Sequence, residues 1–91
     1  MTIRWADSAD KWGISHEDAL YAMNNATYAS TKVKVNNGDT EADRRVFIGK
    51  PHAQTERLLE VLVEIIPPGT IVVYHVMELG SYYRSQMEDD Q

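Results

Sequence analysis

Three histidines, a Tyr-Tyr-Arg run and a scatter of cations are the residues of this chain with chemistry to offer. His16, His52 and His75 fall in different predicted elements, and no two have a metal-ligand spacing such as His-x-x-x-His. The chain has no cysteine, so neither a thiolate zinc site nor a disulfide framework can form. No P-loop, Gly-rich nucleotide fingerprint or Ser/His/Asp order is present, so no cofactor and no metal are expected. His75 sits in a predicted strand, on the face that carries Ile71, Val73 and Met77. Two readings of it stay open: a buried histidine bonded to a neighbour, and an acid–base or positioning group near the open face of a sheet. His52 follows Lys50-Pro51 in a predicted loop, and His16 lies in the first turn of a predicted helix, where it reads as a surface residue. Tyr82 and Tyr83 precede Arg84, a trio suited either to stacking on a base beside a phosphate or to packing a helix on a sheet. Glu60 and Glu64 share a strand face and read as a solubilising pair on the solvent side.

Charge limits what these residues can act on. The net charge is −5, whereas proteins that grip nucleic-acid phosphates present basic surface. Lys32 to Arg57 holds six basic and four acidic residues, a net +2, which leaves −7 for the rest of the chain. That segment could gather a basic face or remain a solvated stretch of mixed charge.

The elements that must position these groups follow from periodicity. Residues 2–5 read as extended. Asp7 to Trp12 suits one helical turn capped by Asp7 or Ser8 and ended by Gly13. Ser15 opens a helix over about residues 15–27, its hydroxyl accepting the Asp18 N–H and the Asp18 carboxylate reaching back, with Ala19, Leu20, Met23 and Ala26 at helical spacing. Thr31 to Val35 alternates like a short strand, and Asn36-Asn37-Gly38-Asp39 marks a turn within a mobile stretch of about residues 29–43. Arg44 to Gly49 reads as a strand with Val46 and Ile48 on one face and Phe47 on the other. The strongest local signal is a hairpin. Leu59, Val61, Val63 and Ile65 face one side, Pro67-Pro68-Gly69 forces a turn, and Thr70 to Glu78 returns, setting Val63 opposite Val73 and Val61 opposite His75. A helix from Ser81 to about Met87 closes the chain, with a tail over residues 88–91 expected to fray.

These elements specify one domain over residues 1–91 of the α+β class, a small twisted antiparallel sheet packed on helices from one side. The longest apolar stretch, Leu58 to Ile66, contains Glu60 and Glu64 and is far too short to span a membrane. The N-terminal residues lack the apolar run of a signal peptide, so a cytoplasmic location is expected.

Five segments, in order, carry a family resemblance. They are Trp5-Ala-Asp, Lys11-Trp-Gly-Ile-Ser-His-Glu-Asp-Ala19, Val46-Phe-Ile-Gly49, Arg57-Leu-Leu-Glu-Val-Leu-Val63 and Val72-Val-Tyr-His-Val-Met77. Together they resemble the BrnT toxins of bacterial type II toxin–antitoxin pairs, over nearly the whole chain except residues 28–43. The family pattern has His where this chain has Trp12, Ser-Ala-Arg where it has His75-Val76-Met77, and Glu-Arg where it has Tyr83-Arg84; Lys11 and Arg84 are kept. The resemblance implies a RelE-like fold, a metal-independent ribonuclease activity that inhibits translation, and a DNA-binding antitoxin as partner. On that basis His75, Arg84 and Lys11 are the candidate catalytic residues, with Arg57, Lys50, His52 and Tyr83 as candidate RNA contacts. A non-catalytic protein-binding module of the same fold, from a phage or mobile element, is the alternative, and a homo-oligomeric accessory protein is a further one.

Overall fold

A computed structural model describes residues 2–33 and 42–90. The first strand, β1 (Thr2–Trp5), leads through Ala6 into a 3-10 turn (Asp7–Asp10) and then helix α1 (His16–Asn24). Strands β2 (Tyr28–Ser30), β3 (Asp43–Gly49), β4 (Leu59–Ile66) and β5 (Thr70–Glu78) follow, and α2 (Ser81–Asp89) closes the chain. This is the small α+β architecture expected. The sheet is nevertheless mixed, in the order β1-β5-β4-β3-β2. Neighbours from β5 to β2 are antiparallel, but β1 lies parallel to β5, pairing Thr2 with Thr70 through Trp5 with Val73. The hairpin fills the other side of β5, so the early strand reaches the sheet only at this outer edge.

The helices cover both faces rather than one. The 3-10 turn and α1 press Ala9, Ala19 and Ala22 onto Leu59, Val61, Val63, Val73 and Val76. On the opposite face α2 lays Tyr83 against Val46, Ile48 and Leu62, flanked by Tyr28, Tyr74 and Met87. The reason lies in β4, the central strand, where Leu59 to Val63 are all buried, odd and even positions alike. A five-residue run covered on both sides needs a layer on each.

Local chemistry sets the boundaries. Ser15 caps α1 by accepting the Asp18 N–H at 3.1 Å, as its spacing predicts. The helix stops at Asn24, where the Asn25 side chain bonds the Tyr21 carbonyl at 3.0 Å, three residues short of the expected end. The buried α1 residues are alanines, which let the helix approach the sheet closely. A Cβ on Gly49 would stand 2.4 Å from the Ala22 carbonyl oxygen, so only glycine ends β3 there. The 3-10 turn takes Ala6, whose methyl cannot accept a bond, as its cap residue rather than Asp7 or Ser8, and the Ser8 hydroxyl donates to the Tyr74 carbonyl.

Two further expectations are corrected. Among the described residues the strand after α1 is Tyr28–Ser30, and Thr31 to Val33 of the expected Thr31–Val35 strand are not in it; Lys34 to Glu41, including the rest of that strand and the Asn-Gly turn, lie outside the described residues. The closing helix extends past its expected end near Met87. The helix runs to Asp89, and the Asp90 carboxylate accepts a bond from the Tyr28 hydroxyl, which also reaches Gln86 Oε1 at 2.9 Å. Among the described residues no helix is long and apolar enough to cross a membrane.

Candidate functional site

The register of the hairpin creates the site. Val63 pairs with Val73 as expected, but Leu62 then pairs with His75, so Tyr74 is an extra residue on β5. This β-bulge flips the pleat for the rest of the strand. Val61 faces Val76, not His75, and both His75 and Met77 move to the α2 face. The bulge is tied down by the segment that follows β1, where the Ala6 N–H donates to the Val73 carbonyl at 2.9 Å and the Ser8 hydroxyl of the 3-10 turn donates to the Tyr74 carbonyl.

On that face an open cleft of about 550 Å³ lies between β5 and the start of α2. Tyr74, His75 and Met77 line it from the strand, Glu60 and Leu62 from β4, Ser8 from the 3-10 turn and Ser81 to Tyr83 from the helix. Glu60 is the best-anchored polar group here. Its side chain is 6% exposed, and both carboxylate oxygens are used. Oε1 accepts the Gly80 N–H at 2.8 Å, and Oε2 lies 2.9 Å from His75 Nε2. Gly80 is the cap residue of α2, which has no side-chain cap bond of its own. Glu60 therefore does from β4 what the third-residue Glu of a capping box does locally, accepting the cap residue's N–H and placing a carboxylate at the positive end of the helix. A carboxylate oxygen accepts, and Nε2 is the ring nitrogen placed to donate to it, which in a neutral ring leaves the lone pair on Nδ1. The His75 side chain is 29% exposed, open enough to meet a ligand. Burial pushes the Tyr74 phenol above the usual tyrosine range, opposed by the Arg44 guanidinium 5.9 Å from its ring. Tyr74 is thus a neutral hydroxyl at physiological pH.

The other sequence candidates are dispersed. Arg84 is exposed on α2, just beyond the cleft-lining residues, and Lys11 is exposed after the 3-10 turn with Nζ 5.3 Å from the Trp12 ring centre. Arg57 bonds Glu78 through Nε at 2.8 Å, Lys50 lies 3.5 Å from Glu56, and His52 Nδ1 accepts the Gln54 N–H at 3.2 Å. Tyr83 is 5% exposed, so its ring is core rather than a free stacking platform; Tyr82 beside it is half exposed, the two rings edge to face at 4.8 Å. His16 is not idle on the surface. It stacks flat on Trp5 at 3.8 Å and bonds Asp10 at 2.6 Å, clamping α1 to β1 and the 3-10 turn.

Glu60 overturns its solvent-face reading, and Glu64 on the same side is bonded to Arg44 at 3.2 Å. The missed signal was position: a carboxylate amid Leu59, Val61 and Leu62 in the strand with the longest apolar run must be buried and therefore bonded. Among the described residues no three His, Asp or Glu side chains converge as metal ligands would. No family model, curated protein or solved structure matches the chain.

Proposed function

We propose that this protein is a toxin-like component of a bacterial type II toxin–antitoxin pair, related to the BrnT toxins, which cleaves RNA in the cytoplasm without a metal. The supporting observation is His75, partly exposed in an open cleft and held at Nε2 by a buried carboxylate. Such a histidine can take the proton of a ribose 2′-hydroxyl as that oxygen attacks the adjacent phosphorus. The 2′-O–P bond forms as the P–O5′ bond breaks, and the leaving 5′-oxygen takes a proton from water, giving a 2′,3′-cyclic phosphate and a 5′-hydroxyl end. Tyr82 offers an exposed ring on the cleft wall for a base, and Arg84, the cation nearest in sequence to the cleft-lining part of α2, is the proposed phosphate contact.

A second reading, a protein-binding module, is favoured by the fate of the basic segment. Lys32 pairs with Asp90, Arg44 with Glu64, Arg45 with Asp43, Lys50 with Glu56 and Arg57 with Glu78. These cations are neutralised in place, and a chain of net charge −5 suits a basic protein partner better than a phosphate backbone.

Inducible expression of the lone protein in a bacterial host separates the two. The toxin reading expects growth arrest with RNA cleavage, both lost in His75→Gln. Abundant, folded wild-type protein that leaves growth and total RNA intact would sink it and turn the search to a partner captured by pull-down.

A further inference from the structure

We infer that Glu60 is the positioning residue of His75, holding the neutral ring in its Nε2–H form so that Nδ1 is the nitrogen that exchanges a proton in the cleft. Its consequence for catalysis rests on the ribonuclease reading; the ring state does not.

The case is geometric. Glu60 has two fixed obligations. Oε1 meets a backbone N–H, that of Gly80, which can only donate. Oε2 meets His75 Nε2 at 2.9 Å. The carboxylate is thus held between the helix start and the ring, one oxygen to each. Around His75 the other polar groups of the cleft are the hydroxyls of Ser8, Tyr74, Ser81, Tyr82 and Tyr83; among the described residues lining it, Glu60 is the only acidic or basic side chain besides His75. With Oε2 an obligate acceptor, the proton sits on Nε2.

The same constraints predict what an amide does in place of the carboxylate. In Glu60→Gln the Gly80 N–H still demands an acceptor, so the amide oxygen stays on the helix side. The NH2 group then faces Nε2, which must accept, and the proton moves to Nδ1. A nearly isosteric substitution thus inverts the ring.

Nitrogen-15 NMR of the histidine rings at mildly alkaline pH reads this directly, because protonated and unprotonated ring nitrogens have widely separated shifts. His75→Gln assigns the signals, and His16 and His52 are internal references. Wild-type protein is expected to show His75 as Nε2–H, and Glu60→Gln to show it as Nδ1–H. A wild-type ring protonated at Nδ1 would overturn the inference without any variant, and so would a folded Glu60→Gln protein that keeps Nε2–H. In RNA cleavage, Glu60→Gln should lower kcat about a hundredfold with KM little changed, within the range general acid–base groups contribute. Loss confined to KM would also count against the positioning role. If wild-type protein cleaves no RNA, the ribonuclease reading falls while the ring spectra still decide the role of Glu60.

Discussion

The two faces of the sheet are built from the same strands and serve different ends. Under α1 the contact is apolar and close: alanines on the helix, valines and leucine on the strands, and a glycine where backbone meets backbone. Under α2 the layer is looser and polar, with a buried carboxylate, a histidine and tyrosine hydroxyls around an open cleft. One bulge at Tyr74 separates the two roles. Before it, Ile71 and Val73 feed the α1 face; after it, His75 and Met77 feed the cleft while Val76 keeps the apolar face continuous. Both faces bury an apolar cluster, but only the α2 face also holds polar groups beside an open cleft.

The sharpest way to break this contrast is Gly49→Ala. The new Cβ would collide with the Ala22 backbone rather than with a movable side chain, so α1 must lift. A loss of about 3 kcal/mol or more is expected, read from urea unfolding. Val61→Ala, at a fully buried site of the same face, should cost about 2 kcal/mol for the lost methyls and the cavity. On the other face Glu60→Ala strands the Gly80 N–H and the His75 ring, at about 1–2 kcal/mol, while Glu60→Gln keeps an acceptor and costs less. If Glu60→Ala instead raised stability, the pair would be held at a net cost to the fold, as buried charges can be.

The smallest effect should be local and pH-dependent. The Tyr28 hydroxyl, followed by Lys32, holds the Asp90 carboxyl below its ordinary range. A carboxylate with a depressed folded value contributes stability above its unfolded value of 3.8, and that contribution is lost as pH falls through the lower folded one. Burial, then the Asp90 bond, raises the Tyr28 phenol above 10.0. Its contribution is complete below that pH and lost as pH rises through the folded value. The last turn of α2 should therefore loosen at both extremes, read as faster amide exchange over Gln86 to Asp89. Tyr28→Phe should loosen it at neutral pH and weaken the acid dependence to what Lys32 alone sustains.

Much of this was legible in the residues. The period-2 run from Leu59, the Pro67-Pro68-Gly69 turn, the Ser15 cap, the faces of Val46, Phe47 and Ile48 and the closing helix are local signals, and they hold. His75 stood out as a titratable group in an apolar strand. Its surroundings were not legible, because a bulge leaves no mark in an alternating run: Ile71, Val73, His75 and Met77 look in phase until β4 is laid beside them.

By itself the sequence determined the α+β class, the hairpin and the main helical starts, since each depends on neighbours within a few residues. Only the tertiary structure decided that β1 joins in parallel, that helices cover both faces, and that Glu60 meets His75 and Gly80. Those outcomes depend on pairing between residues tens of positions apart, where a one-residue shift in register sends a side chain to the opposite face of the sheet.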